Sequence, residues 1–187
     1  MTIIGVCGPP ASGKDTVADF FVSKGFTHIS LSDILREEMR KQNIPLDREH
    51  IYNFSLEVKR EHGLNHLAQL AADKIKEDTI ISSIRAGSEV KLLRQRFGDA
   101  FTLISIEAPF ETRYERATKR NRPGDDISSE LFKAQEDRES DGRTAAHQVD
   151  KVIAMADRTI DNSASKQKLF DRLGKVLTEL QEKELIK

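Results

Sequence analysis

Between an apolar run, Ile3-Ile4-Gly5-Val6-Cys7, and a helical pattern carrying Val17, Ala18, Phe20 and Phe21, the chain reads Gly8-Pro9-Pro10-Ala11-Ser12-Gly13-Lys14-Asp15-Thr16. In the order strand, glycine loop, helix, the spacing G-x-x-x-x-G-K makes a phosphate-binding loop. Such a loop turns successive backbone N–H groups inward, and the helix N-terminus adds partial positive charge aimed at the same point. Gly8 and Gly13 let the chain turn tightly and approach a phosphate where a Cβ would intrude. Lys14 supplies a full positive charge for the outer phosphates. The motif therefore implies binding of a nucleoside triphosphate.

The rest of the chain must build a strand–helix frame around that loop. Its 187 residues suit one domain with a full core. Short apolar runs at 3–7, 28–31, 79–84, 101–106 and 158–160 read as strands, and they are continuous rather than alternating. Continuous apolar strands belong to a parallel sheet covered on both faces. Helical patterns fill the intervals at 14–24, 32–42, 48–62, 65–76, 88–97, 109–120 and 166–183, with Ser32 and Asn65 as N-caps. The expected fold class is α/β: a three-layer domain with a five-stranded parallel sheet, whose ligands bind beyond the strand carboxyl ends. Two stretches interrupt the alternation, a long helical one at 47–76 and a charged one at 119–144 containing Pro123-Gly124. The expected organisation is a core of 1–46, 77–118 and 145–187 with an insert at 47–76 and a lid at 119–144. Along the C-terminal helix, Leu173, Leu177 and Leu180 share one face, which could pack on the sheet or meet a partner.

Thirty basic and thirty-one acidic side chains leave a formal net charge of −1, so overall charge favours neither nucleic acid nor membrane. The basic residues lack interleaved aromatics, which argues against action on an RNA or DNA end. Cys7 is the single cysteine, so no internal disulfide forms. No apolar stretch approaches the ~20 residues of a membrane span. With no secretory signal before the first strand, the expectation is a soluble cytoplasmic protein.

Four further constellations follow the loop: Leu31-Ser32-Asp33-Ile34-Leu35-Arg36, Ile81-Ser82-Ser83-Ile84-Arg85, the series Arg113, Arg116, Lys119, Arg120 and Arg122, and Ala156-Asp157-Arg158-Thr159-Ile160-Asp161-Asn162. With them the chain resembles the nucleoside monophosphate kinase superfamily over nearly its whole length. Its loop is similar to that of adenylate kinases, which also lack Ser/Thr directly after the lysine. The resemblance is closest to dephospho-CoA kinase-like and deoxynucleoside monophosphate kinase-like members, including an archaeal group of predicted nucleotide kinases.

That resemblance implies roles residue by residue. Gly8, Ala11, Ser12, Gly13, Lys14, Asp15 and Thr16 would hold the phosphates of ATP, with Asp15 and Thr16 beside Mg2+. Asp33 and Arg36 match an acidic–arginine pair at the acceptor site, and Arg85 matches a second acceptor-phosphate ligand. Arg116 and Arg120 match lid-hinge arginines that close over the donor; Asn162 and Ser163 fall where the last strand exit contacts adenine. The insert would bind the acceptor, with Lys59 facing it. Phosphoryl transfer brings two polyanions together, so arginine forks at several places serve positioning and charge neutralisation.

In place of an Asp common near the end of the third strand in these families, the chain has Ser82 and Ser83, and Asp15 is the carboxylate nearest the metal position. The implied activity is Mg2+- and ATP-dependent phosphorylation of a small-molecule nucleotide, a (deoxy)nucleoside monophosphate, by a monomer or homodimer. Dephospho-CoA is the alternative acceptor, and an ATP-binding regulatory module with little turnover is the alternative class. Arg113, Lys119 and Arg122 read as solvated charges, Asp137 and Arg138 as lid ion pairs, and His62 and His66 as surface histidines.

Overall fold

A computed structural model describes residues 1–120, 128–140 and 148–185. The first strand, β1 (Ile3–Cys7), is buried at all five positions, as its unbroken apolar run requires. It pairs in parallel with β3 (Thr79–Ser82) on one side and β4 (Phe101–Glu107) on the other. Outside these lie β2 (Thr27–Ser30), parallel to β3, and β5 (Arg158–Asp161), parallel to β4. The order β2-β3-β1-β4-β5 confirms the five-stranded parallel sheet.

Alternation along the strands divides the core in two. Ile3, Ile81 and Leu103 face one way and meet Leu35 and Met39 of α2 (Leu31–Lys41) and Leu93 of α5 (Gly87–Phe97). Ile4, Val6, Ile80 and Ile104 face the other, against Val17 and Phe21 of α1 (Lys14–Val22) and Leu169, Leu173 and Leu177 of α9 (Lys166–Leu185). Successive side chains of a strand point to opposite faces, so one buried strand serves both layers. The leucine stripe of α9 thus covers the sheet.

The inserted helices are rooted in the first of these cores. Phe54 and Val58 of α3 (Arg48–His62) and Leu67, Ala68, Ala71 and Ala72 of α4 (His66–Lys74) are buried there. The charged stretch contains α7 (Ser129–Ser140) beyond α6 (Phe110–Arg120), and α8 (Val149–Ile153) precedes β5. The sequence reading had no helix at either α7 or α8. Pro123-Gly124 and Arg122 lie outside the described residues.

Several boundaries differ from expectation. The cap of α2 is Ser30, whose Oγ accepts from the Asp33 N–H at 3.2 Å; Ser32 lies inside the helix. Asn65 precedes α4 but makes no side-chain cap bond. The third strand stops at Ser82 because Ser83 turns to φ +66°, outside the β region.

Candidate active site

The loop between β1 and α1 has the geometry its sequence requires. Gly8 has φ +141° and Gly13, the N-cap of α1, φ +105°. A Cβ on Gly8 would stand 2.3 Å from the Ile106 carbonyl oxygen, and one on Gly13 2.3 Å from Asn162 Nδ2. Both positions therefore exclude a side chain, on steric as well as conformational grounds. Ala11 also takes a left-handed conformation, φ +57°. Lys14 Nζ reaches back into the loop and donates to the carbonyls of Gly8 at 2.8 Å and Pro9 at 2.7 Å. Ser12 is buried, and its Oγ has no hydrogen-bond partner among the described residues.

Behind the loop stands Asn162, just past β5. Its Nδ2 donates to the Ser12 carbonyl at 2.8 Å and its own N–H donates to Glu107 O at 2.6 Å. Here the adenine-contact expectation needs correction: the amide is buried and committed to bracing the loop. Neighbouring Ser163 donates from Oγ to Asp161 at 2.9 Å, and neither residue lines the cleft.

In front of the loop opens a cleft of about 1170 Å³. Gly8, Ala11, Gly13, Lys14, Asp15 and Thr16 line its floor, and Asp33, Arg36, Arg85, Arg116 and Arg120 its walls. The sheet topology explains the convergence, since all these residues follow strand carboxyl ends. Arg36 Nη1 donates to Asp33 at 2.8 Å and to Ser32 Oγ at 2.9 Å, one turn apart on α2. Ser32 Oγ also lies 3.0 Å from Ser30 Oγ and 3.2 Å from Ser83 Oγ, and His28 Nε2 lies 2.9 Å from Ser82 Oγ. The strand end that lacks a carboxylate is thus a wall of hydroxyls with Arg36 and His28 at its edges.

Lys59 is the clear departure. It does not face the cleft: its Nζ is buried against Glu89 at 3.0 Å. A flexible amine on a helix offers no sequence sign of which side it takes. Arg113, read as solvated, is also buried; it donates to both carboxylate oxygens of Glu136 on α7, to Ala108 O at 2.9 Å and to Pro10 O at 3.3 Å. The sign available in the sequence was its spacing four before Ala117, on the inner face of α6.

Two cleft residues were not singled out as ligands. Tyr52 on α3 lies under Arg138 of α7, the guanidinium carbon 4.5 Å from the ring centroid, so α3 and α7 meet at the cleft. Among the described residues, Gln135, one turn before Arg138, has a buried Oε1 without a partner, and Arg116 a buried Nη1 without one. An unpaired buried acceptor and an unpaired buried donor in one wall are groups that a polar ligand would satisfy.

The residues fit ATP: glycine positions where a Cβ would clash, a lysine at the loop, and an unpartnered arginine N–H in the wall. For Mg2+, Thr16 offers a hydroxyl and Asp15 a carboxylate on the first turn of α1. Among the described residues no cluster of three or more His, Cys, Asp or Glu gathers as a metal site. A Mg2+ ion that keeps its waters and phosphate ligands needs only one or two such oxygens.

A family model described as "AAA domain" matches residues 4–142. A UPF0200 protein of Thermococcus onnurineus is 30% identical over 185 residues, covering 95% of this chain and 97% of the relative. The chain belongs to the UPF0200 family and carries an AAA domain. The UPF0200 protein of Thermoplasma volcanium is 32% identical over 177 residues, 94% of this chain and 96% of that one. A UPF0200/UPF0201 protein of Archaeoglobus fulgidus is 31% identical over 186 residues, but the chain spans only 56% of its length. In structure this UPF0200 chain is similar to a gluconokinase from Sinorhizobium meliloti, with TM-score 0.60, 18% identity and coverage of 99% and 96%. Shikimate kinase from Aquifex aeolicus gives TM-score 0.57 at 19% identity, covering 98% and 99%. A dephospho-CoA kinase from Campylobacter jejuni gives 0.50 at 20% identity, covering 96% and 97%. The UPF0200 fold is therefore that of the P-loop kinases. Among the described residues no helix is long and apolar enough to cross a membrane.

Proposed function

We propose that this UPF0200 chain is an ATP-dependent phosphotransferase whose acceptor is a (deoxy)nucleoside monophosphate. The observation that carries the reading is a further pair of arginines in the cleft of the phosphate loop. Arg36 and Arg85, from the ends of two different strands, line the same cleft as Lys14. A protein that only bound ATP would not need them. Guanidinium forks stay charged at any working pH and hold phosphate oxygens bidentately.

The polarity of the insert supports a nucleotide over a sugar acid. Beside Tyr52, the cleft wall carries Leu46 and Ile51, with Glu49 at the same end. An apolar and aromatic surface with a carboxylate nearby suits a nucleobase bearing an amino group. The arginine end suits its phosphate. The cleft also carries Phe132, which is fully buried between Phe110 and Tyr114, whereas the Tyr52 ring stacks with the Arg138 guanidinium.

In this reading the loop N–H groups and Lys14 hold the outer phosphates of ATP, while Arg116 and Arg120 neutralise charge on the donor. Asp15 and Thr16 would hold Mg2+, whose charge would offset that of the phosphates. Arg36 and Arg85 orient the acceptor, and the insert and α7 exclude water that would otherwise take the phosphoryl group.

The deciding assay is ADP formation from Mg-ATP with NMPs, dNMPs, dephospho-CoA, shikimate and gluconate, with Lys14→Ala as control. Acceptor-dependent turnover with one or a few monophosphates, lost in the control, is the expected result. Turnover with dephospho-CoA alone would reassign the acceptor. Tight ATP binding without turnover on any acceptor would favour a regulatory ATP-binding module, a reading motivated by the hydroxyls of Ser82 and Ser83 where a carboxylate is common in related kinases.

A further inference from the structure

Outside the cleft, at the root of the insert, Lys59 of α3 and Glu89 of α5 form an ion pair with 3% and 1% of their side chains exposed. Lys59 Nζ lies 3.0 Å from Glu89 Oε1. The second carboxylate oxygen, Oε2, accepts from the backbone N–H of Arg85 at 2.8 Å and of Ala86 at 3.0 Å. Ala86 is the N-cap of α5 and has no side-chain oxygen, so Glu89 caps the helix from its third position. On the other side of the same residue, the Arg85 carbonyl accepts from the Gln148 N–H at 2.8 Å. The backbone of Arg85 is held from two directions before its side chain enters the cleft.

A buried ion pair is a poor source of net stability, because desolvating two charges offsets their attraction. Its geometry is another matter. One carboxylate fixes two amides and an ammonium at set distances, which an apolar pair of equal volume would not do. The pair also joins two parts of the cleft. Among the described residues, the buried positions of α3 are Phe54, Ser55, Val58 and Lys59, from its middle onward, whereas Asp47, Glu49, Ile51 and Tyr52 line the cleft at its start. Lys59 therefore anchors the fixed end of the helix whose other end meets the ligand.

We infer that Lys59 and Glu89 are positioning residues: the pair locks the root of the acceptor insert to the turn that presents Arg85, so the two halves of the acceptor site keep one spacing. The inference rests on the reading of Arg85 as an acceptor-phosphate ligand. Neither residue touches the substrate. Their influence passes through the Arg85 backbone and the pivot of α3.

The test is the double variant Lys59→Met/Glu89→Leu, which removes both charges and keeps the volume filled. Amide hydrogen exchange at Arg85 and Ala86 should accelerate more than about tenfold, while exchange within α4 holds, since only the former lose their acceptor. The acceptor KM should rise about tenfold to a hundredfold, as for a displaced positioning group, with ATP affinity within about twofold of the parent. If that variant does not fold, Lys59→Met/Glu89→Gln retains one oxygen for the two amides and isolates the loss of the insert anchor. For it, slow exchange with a raised acceptor KM is expected. Unchanged exchange at Arg85 and Ala86 in the folded leucine variant overturns the lock whatever the acceptor is. So does an unchanged acceptor KM in whichever double variant folds, or a loss of ATP affinity equal to that of the acceptor. Failure of the parent protein to turn over any acceptor sinks the kinase reading instead, and exchange alone then decides whether the lock exists.

Discussion

Cys7 closes β1 directly beneath the phosphate loop, and burial pushes its thiol from the usual value near 9 up to about 12, against the pull of the Lys14 ammonium. The folded state thus holds its proton to higher pH than the unfolded state. Stability from this residue is whole below about pH 9 and declines as pH rises toward about 12, because the unfolded chain ionises first. Alkylation by iodoacetamide at pH 8 should proceed only as fast as the protein opens; rapid labelling of the native protein would contradict the burial. Arg85→Ala probes the opposite kind of residue, one whose charge the proposed acceptor would use. It should raise the acceptor KM or lower kcat by about 10- to 100-fold and leave ATP affinity nearly intact, measured by titration with a non-hydrolysable ATP analogue. Equal loss of ATP binding would move Arg85 to the donor side. At this scale the sequence was readable where function forces a spacing. Gly8, Gly13 and Lys14 are adjacent in the chain and need no partner to be recognised. Lys59 was misread because its partner, Glu89, is thirty positions away and nothing local to either betrays the pairing. Asn162 was misread for a related reason: its amide serves Ser12, which only the closed sheet brings beside it.

Among the elements, the strands were legible because each is a short apolar run that must be buried on both faces. Their ends were less so. Whether β3 stops at Ser82 or runs to Ile84 depends on one left-handed residue, Ser83, which carries no glycine signature. The helix α7 was hidden by its composition. Among its described side chains the buried ones are Phe132 and Glu136, one aromatic and one carboxylate, too few for a recognisable stripe. What holds α7 is therefore not area but the Arg113–Glu136 pair and the Phe132 ring between Phe110 and Tyr114. Arg113 also bonds to Pro10 O, so the same side chain links the lid helix to the phosphate loop. Arg113→Met leaves the Glu136 carboxylate buried without its cation and should cost about 3–5 kcal/mol. Urea unfolding would measure it. Arg113→Met/Glu136→Leu should recover most of that loss, since an apolar pair of similar volume replaces the ions. A single variant within about 0.5 kcal/mol of the parent would mean that α7 is held by its apolar contacts alone.

For the whole molecule, the phosphate loop and the acceptor wall emerge from one sheet whose two faces are covered by separate cores. Ile4 and Val6 anchor the loop strand in the core shared with α1 and α9, while Ile3 and Cys7 anchor it in the core shared with α2 to α5. Ligands in the cleft bind only when both cores are intact, so each one stabilises the entire fold rather than a lobe of it. A ligand at a hundred times its Kd adds about 2.7 kcal/mol to unfolding. For a chain of this size that corresponds to a Tm rise of roughly 5–10 °C, at about 2–4 °C per kcal/mol. The two sites should respond separately. Mg-ATP and the monophosphate acceptor should each raise Tm in the parent protein. Lys14→Ala should abolish the shift from Mg-ATP and keep the shift from the acceptor, whose phosphate Arg36 and Arg85 are proposed to hold. Arg85→Ala should at least halve the shift from the acceptor and keep the shift from Mg-ATP. If Lys14→Ala instead abolished both shifts, the acceptor would be reporting on the phosphate loop, and the cleft would hold one anionic site where the arrangement of arginines calls for two.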